Sequence, residues 1–359
     1  EIEPYFGSPH NNMGIVFNDE GHYEKAIEAY YQALELDPDD ARTYNNLGVV
    51  YDNLKQYEKS IAAYKKALGL DPNNAESYNN LGVVYYYISK PEQAVSHLNK
   101  AIEIDPDYEE AYKNLANCYK DSGDTQVVIS MYKKAVEAHP KSADAHFQLG
   151  TAYQDGGQIM KAITSYSQAV KIDPSFEKAL YNLGSAYFGI GKRDQALASL
   201  NQALALNGTN PKTHFNLGII YYDLGDKKQA ISHFEKARDL HYYSFDLYKR
   251  LGIAYSETGM NKQAAEALGK AVEYGSGDAK LFYLLGNTHF LANQFNGARE
   301  AYQRAIEMQP GFAEAHGNIA IVYFNLKQYA LAIEHCDQAV EYGATVQPDF
   351  MKTLEPYRQ

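Results

Sequence analysis

Small and apolar residues recur along this chain on a fixed lattice of 34 residues. Gly14, Gly48, Gly82, Ala116, Gly150, Gly184, Gly218, Gly252, Gly286 and Ala320 mark it, with no insertion or deletion between them. Each unit is numbered from seven residues before its lattice residue, so the lattice residue is position 8. Position 7 is then apolar in every copy, from Met13 and Leu47 to Leu285 and Ile319. Position 11 is aromatic or His, from Phe17 and Tyr51 to His289 and Tyr323, and position 27 is Ala throughout, from Ala33 to Ala339. Positions 4, 7, 8 and 11 share one stripe of a first helix, A, because helical neighbours recur at i+3, i+4 and i+7. Positions 20, 21, 24, 27 and 28 do the same for a second helix, B. Small residues at 8, 20 and 27 let two backbones approach, and large ones at 4, 11 and 24 fill the space between them.

The ends of both helices are legible. Helix B meets Asp-Pro in four copies, at Asp37-Pro38, Asp71-Pro72, Asp105-Pro106 and Asp173-Pro174. Proline cannot continue a helix, lacking an N–H and clashing with the preceding turn. Helix A ends near position 15, at Gly21, Gly123, Gly157, Gly191, Gly225 and Gly259 in six copies. Glycine reaches the left-handed conformation of a helix C-cap.

This pattern resembles the tetratricopeptide repeat, a helix–turn–helix unit, over essentially the whole chain. The usual Trp at position 4 is replaced by Tyr44, Tyr78, Tyr112, Tyr248 or His, in keeping with 33 Tyr and no Trp. The resemblance implies an all-α, right-handed superhelical solenoid. Its ten repeats would be 7–40, 41–74, 75–108, 109–142, 143–176, 177–210, 211–244, 245–278, 279–312 and 313–346. Residues 347–359, with Phe350, Leu354 and Tyr357 at i, i+4 and i+7, are expected to form a capping helix, as the open end of a solenoid requires. Residues 1–6 match the end of helix B, since Glu1-Ile2-Glu3-Pro4 repeats Glu103-Ile104-Asp105-Pro106 in phase. They are expected to be the tail of a preceding, truncated repeat.

Composition changes the picture little. A formal charge of −12 argues against nucleic acid, whose phosphates need a basic stripe, and suits a partner with some basic character. No apolar run is long enough for a membrane span, and without a targeting segment a cytoplasmic location is expected. Cys118 and Cys336 sit at packing positions six units apart and are expected to be small buried hydrophobes. No metal-ligand spacing, phosphate loop or catalytic pair stands out, so no cofactor, metal or catalytic residue is assigned. His146, His214 and His316 share position 4, a slot for packed, hydrogen-bonded imidazoles.

The remaining signal lies on helix A positions 2, 5, 6, 9, 12 and 13, off the packing stripe. In the resembled family this side lines a concave groove. Position 6 reads Asn12, Asn46, Asn80, Asn114, Gln148, Asn182 and Asn216 before Arg250 and Leu284 interrupt it. Asparagine is a mediocre helix former, so its recurrence asks for a reason. An amide offers a donor and an acceptor, the match for a peptide group. The row resembles the asparagine ladder of superhelical arrays such as those of the O-linked N-acetylglucosamine transferases and kinesin light chains. The alternative is that each amide bonds to a neighbouring helix. Phe147, Tyr181, Phe188, Phe215 and Tyr222 lie beside the row as pockets for apolar side chains, or as packing between adjacent A helices. Lys113, Asn117, Gln148, Lys178 and Asn182 match part of the family's clamp for a C-terminal carboxylate, without its Arg.

The expected function is a non-enzymatic scaffold that binds an extended peptide or partner protein along repeats 1–7. Two alternatives stay open: the recruiting arm of a larger enzyme such as a glycosyltransferase, and a self-assembling array.

Overall fold

The computed structural model describes residues 9–121 and 123–358. Residues 1–6, expected to be the tail of an upstream repeat, lie outside the described residues. All regular structure among the described residues is helical, in two compact units that end and begin at Ala186 and Tyr187. The first unit holds α1 (Pro9–Asp19), α2 (Tyr23–Leu36), α3 (Ala41–Asn53), α4 (Tyr57–Leu70), α5 (Ala75–Tyr87), α6 (Pro91–Ile104), α7 (Glu109–Asp121), α8 (Thr125–Ala138), α9 (Ala143–Asp155) and α10 (Ile159–Ile172). The boundary falls within α11 (Glu177–Gly189). The second unit continues with α12 (Arg193–Leu206), α13 (Pro211–Asp223), α14 (Lys227–Asp239), α15 (Phe245–Glu257), α16 (Asn261–Tyr274), α17 (Ala279–Leu291), α18 (Phe295–Met308), α19 (Ala313–Asn325), α20 (Tyr329–Glu341) and α21 (Pro348–Leu354). Odd-numbered helices up to α19 are A helices and even-numbered ones up to α20 are B helices. They form a TPR-like array of helix–turn–helix pairs, closed at its C-terminal end by the extra helix α21.

The A-to-B turn is more uniform than its sequence. Position 15 has positive φ in all ten copies. Six are the glycines noted above, but Lys55, Ser89, Asn293 and Lys327 adopt φ of 58°, 58°, 59° and 60°. A side chain there costs about 1–2 kcal/mol, so tertiary packing imposes the turn whatever residue occupies it. Helix B ends in an extended Asp at Asp37, Asp71, Asp105 and Asp173. Each carboxylate accepts the backbone N–H two residues on, at 2.9–3.2 Å, which bridges the proline. Helix A then starts from a side-chain cap in six repeats, at Asp40, Asn74, Ser142, Asn210, Ser244 and Asp278. Of the six B helices without Asp-Pro, α14 and α20 stop one residue early, followed by left-handed His241 and Gly343.

Packing explains the lattice. A Cβ at Gly150 would lie 2.6 Å from Tyr166 Cδ1, and one at Gly48 would lie 2.6 Å from Tyr64 Cε1. The same holds for Gly14 under Tyr30, Gly218 under Phe234 and Gly286 under Tyr302. At these five repeats position 8 is small because the position 24 ring comes within contact of it, and at Gly82 and Gly252 Leu98 and Leu268 do the same; the rings are among the largest fully buried side chains. Alanine takes position 8 at Ala320, where position 24 is the smaller Cys336, and at Ala116, where Tyr132 holds position 24. All ten position 27 alanines are at most 1% exposed, and both cysteines are buried and free. Met13 departs from the position 7 rule and is exposed.

The C-terminal cap follows the expected spacing. Leu354 is fully buried, Phe350 meets Phe324 edge-on at 5.8 Å, and Tyr357 stacks on Tyr329 at 3.8 Å. Arg358 closes the end with a two-pronged hydrogen bond to Asp337 at 2.5 and 3.0 Å.

Candidate functional site

Position 6 amides are bound into the stack. Asn46 Nδ2 donates to Asn11 Oδ1 at 3.0 Å, Asn80 to Asn45 at 3.4 Å and Asn114 to Asn79 at 2.8 Å. Each bond runs from position 6 of one repeat back to position 5 of the repeat before. The acceptors Asn11, Asn45 and Asn79 are at most 7% exposed. Position 3 joins the same knot: Thr43 donates to Asn11 at 3.0 Å and Ser77 to Asn45 at 2.9 Å. Sequence reasoning missed these acceptors, although the Asn-Asn pairs at 11–12, 45–46 and 79–80 carried the signal. Position 5, expected on the groove face, is turned into the contact between repeats.

The rule extends to the other copies. In repeat 10, Asn318 donates at 3.1 Å to the hydroxyl of Tyr283, again position 5 of the repeat before. Where position 5 is Phe147, Asn182 finds Tyr166 Oη instead, at 3.4 Å. Where it is Lys113, Lys249 or Phe215, position 6 of the next repeat is Gln148, Leu284 or Arg250 rather than Asn. Asn thus appears chiefly where the preceding repeat supplies an acceptor. Among the predicted row, Asn12 is exposed, and Asn46, Asn80, Asn114, Gln148, Asn182 and Asn216 are half-buried. The amides keep partial access to solvent while one N–H is held.

The aromatics divide. Phe147 lies against Phe176 at 5.0 Å and Tyr166 at 5.8 Å, and Phe215 against Tyr242 at 5.2 Å and Phe234 at 6.0 Å. Both seal their own repeat against its B helix and the loop that follows, rather than packing between adjacent A helices. Tyr181 and Phe188 are half-buried on α11. At position 12, Tyr222 donates to Glu257 at 2.9 Å and Tyr86 donates to Asp121 at 2.5 Å, both at position 13 of the next repeat. Burial first, and then the bond to Glu257, push the Tyr222 phenol up to about 12.

The carboxylate-clamp residues are not poised alike. Lys113 Nζ lies 2.7 Å from Asp144, 3.3 Å from Glu109 and 3.8 Å from Glu110. Burial works against its charge, but the hydrogen bond to Asp144 and the nearby carboxylates win, and its pKa is raised. A ligand carboxylate would have to displace those acids. Asn117 and Lys178 are exposed on α7 and α11.

The histidine slots are polar knots of the core. His146 Nε2 donates to the Pro140 carbonyl at 3.1 Å. His214 and His316 donate likewise to Gly208 and Pro310. Their other ring nitrogens meet a second imidazole: His214 and His233 Nδ1 are 3.0 Å apart, and His316 and His335 Nδ1 are 2.9 Å apart. Since Nε2 of His214 carries the proton, its Nδ1 is the acceptor and His233 donates. Burial, and then the neighbouring His214, hold His233 down to about 4. Among the described residues no group of three or more His, Cys, Asp or Glu could hold a metal ion. No helix of the described residues is long and apolar enough to cross a membrane.

The sequence did not single out the A-helix face of repeats 9 and 10. A cavity of about 310 Å³ is lined there by Asn287, Phe290, Leu291, Tyr302, Asn318 and Ile321. A second, of about 560 Å³, shares Asn318 and Ile321 and adds Tyr283, Glu314, residues 343–347 and Phe350 among its walls. Both lie in the second unit, beyond the uninterrupted run of position 6 amides.

Models of a known repeat family match along the chain. Models described as tetratricopeptide repeat match residues 39–107, 97–126, 131–164, 177–242 and 283–345, and one described as TPR repeat matches 14–55 and 152–191. The search of curated proteins gives no match. Among solved structures, MamA is 33% identical, with 45% of this chain and 95% of that chain covered and a TM-score of 0.41. YrrB, described as a TPR protein with an unusual peptide-binding site, is 25% identical over 51% of this chain and 94% of its own, with a TM-score of 0.40. The pilF protein of Pseudomonas aeruginosa is 19% identical over 60% and 95%, with a TM-score of 0.47. With its helix pairs held in 34-residue phase and repeat models matching residues 14–126, 131–242 and 283–345, the chain belongs to the tetratricopeptide repeat family.

Proposed function

We propose that this chain is a non-enzymatic protein-interaction scaffold that holds an extended peptide, or an extended stretch of a partner protein, against its A helices. The observation that carries this reading is the state of the position 6 amides. Asn46 and Asn114 each spend one N–H on the preceding repeat, yet both stay half-buried, and neither amide oxygen accepts a bond among the described residues. An anchored amide has already lost its rotamer freedom, so a further bond to a ligand backbone costs less ordering entropy. The acidic balance of the chain favours ligands with basic character.

The test is selection of displayed random peptides on the full chain, followed by hydrogen exchange of the bound complex. Bound peptides should slow exchange in A helices. One net hydrogen bond is worth about 0.5–1.5 kcal/mol, so Asn46→Ala should weaken binding by about tenfold at most. Protection confined to B helices, or no peptide retained at all, would overturn the reading.

A further inference from the structure

We propose that the A-helix face of repeats 9 and 10 is a site for an extended peptide segment carrying an apolar side chain and, two residues away, a Lys or Arg. This rests on the scaffold reading above and gives it a place and a ligand class. Three observations carry it.

The first is an unspent peptide-matching pair. Asn318 Nδ2 donates to Asn287 Oδ1 at 2.9 Å and to Tyr283 Oη at 3.1 Å, which uses both of its N–H groups. Tyr302 Oη also donates to Asn287 Oδ1, at 2.6 Å, which uses both lone pairs of that oxygen. What remains is the Nδ2 donor of Asn287 and the Oδ1 acceptor of Asn318. They belong to two amides locked to each other, and neither has a partner among the described residues. A donor and an acceptor on two linked amides match the N–H and C=O of one extended residue, which point to the same side of a strand. The second observation is shape. The smaller cavity has apolar walls in Phe290, Leu291 and Ile321, and Leu291 is 57% exposed. It holds about 310 Å³, room for a Leu- or Phe-sized side chain.

The third observation is charge. Glu314 is the one charged side chain lining either cavity, and it is exposed with no ion pair among the described residues. Its charge favours a cationic over an anionic ligand side chain. Glu314 and Ile321 are seven residues apart on α19, about 10 Å along the axis. In an extended strand, residues i and i+2 point to one side and lie about 6.7 Å apart. The stem of a Lys or Arg at i+2 spans the rest.

The probe is a fluorescein-labelled peptide, Gly-Ser-Leu-Ser-Lys-Ser-Gly, titrated by anisotropy against the full chain. Control peptides replace Leu by Ser, or Lys by Glu. The protein variants are Leu291→Ser and Glu314→Lys, both at exposed positions that leave the core intact. We expect each change on either side to weaken binding at least tenfold. The Lys-to-Glu peptide should recover at least fivefold on Glu314→Lys. Hydrogen exchange should show protection in α17 and α19. Parental affinity in both variants, no binding of the Leu/Lys peptide, or protection elsewhere would each overturn the proposal. Protection of other A helices would sink this site while leaving the scaffold reading standing, and protection confined to B helices would sink both.

Discussion

The amide knot between repeats makes a graded prediction. Asn114→Ala removes the one bond that Asn79 Oδ1 accepts among the described residues, and Asn79 is 3% exposed. Position 3 of repeat 4 is Ala111, which has no hydroxyl to offer. The oxygen is left buried and unsatisfied, at a cost of about 1–3 kcal/mol. Asn46→Ala removes a similar bond, but Asn11 Oδ1 still accepts from Thr43 at 3.0 Å. Only a net hydrogen bond is then lost, about 0.5–1.5 kcal/mol. Replacing Asn by Ala improves helix propensity by a few tenths of a kcal/mol in both cases, so this cancels in the comparison. Asn114→Ala should therefore be the worse by about 1 kcal/mol. A rescue follows from the same geometry. Ala111→Ser places a hydroxyl where Ser77 donates to Asn45 at 2.9 Å, and should restore about 1 kcal/mol in the Asn114→Ala background. Repeat arrays depart from two-state unfolding, so the measurement is native-state hydrogen exchange in α5 and α7, read against α1 and α3. Opening should accelerate about 5- to 150-fold at α5 and α7 in Asn114→Ala, and Ala111→Ser should reverse much of it. Equal costs for the two asparagines, or a serine that restores nothing, would refute the claim that the row is stitched through position 5.

Other perturbations read other parts of the fold. Gly150→Ala forces a methyl to within 2.6 Å of the fully buried Tyr166 ring and should cost about 1–3 kcal/mol, less the helix propensity gained. In a Tyr166→Ala background the same change should be neutral or stabilising, and a double-mutant cycle read by native-state hydrogen exchange in α9 and α10 decides it. Lys327→Gly relieves a side chain held at φ 60° and should raise stability by up to about 1 kcal/mol, seen as a higher melting temperature. His233 is held down to about 4, so unfolded chains take up a proton there that the folded state refuses. Its stabilising effect is complete above the ordinary histidine range near 6.5 and is lost as pH falls from there toward 4. Exchange in α13 and α14, corrected for intrinsic rates, should accelerate over that window, and His233→Phe should flatten the profile.

The sequence by itself determined the repeat, the helix pairs, the buried faces and the C-terminal cap. A period of 3.6 within a 34-residue lattice states which side of helix A meets its own helix B. Glycine at position 8 and alanine at 27 state how closely they meet. It also marked the position 6 row as something that needs explaining. It put position 5 on the groove face, because that residue meets the next repeat, and its orientation depends on the rotation between repeats rather than on the period within one. Asn45 thus reads as a groove residue in the sequence and is a buried acceptor in the structure. Lys55, Ser89 and Lys327 show the same limit: no local preference puts them in the left-handed region, and the packing of the two helices does. The cavities of repeats 9 and 10 were hidden for a related reason. Asn287, Asn318 and Tyr302 stand on three helices, and only packing brings them within hydrogen-bond reach.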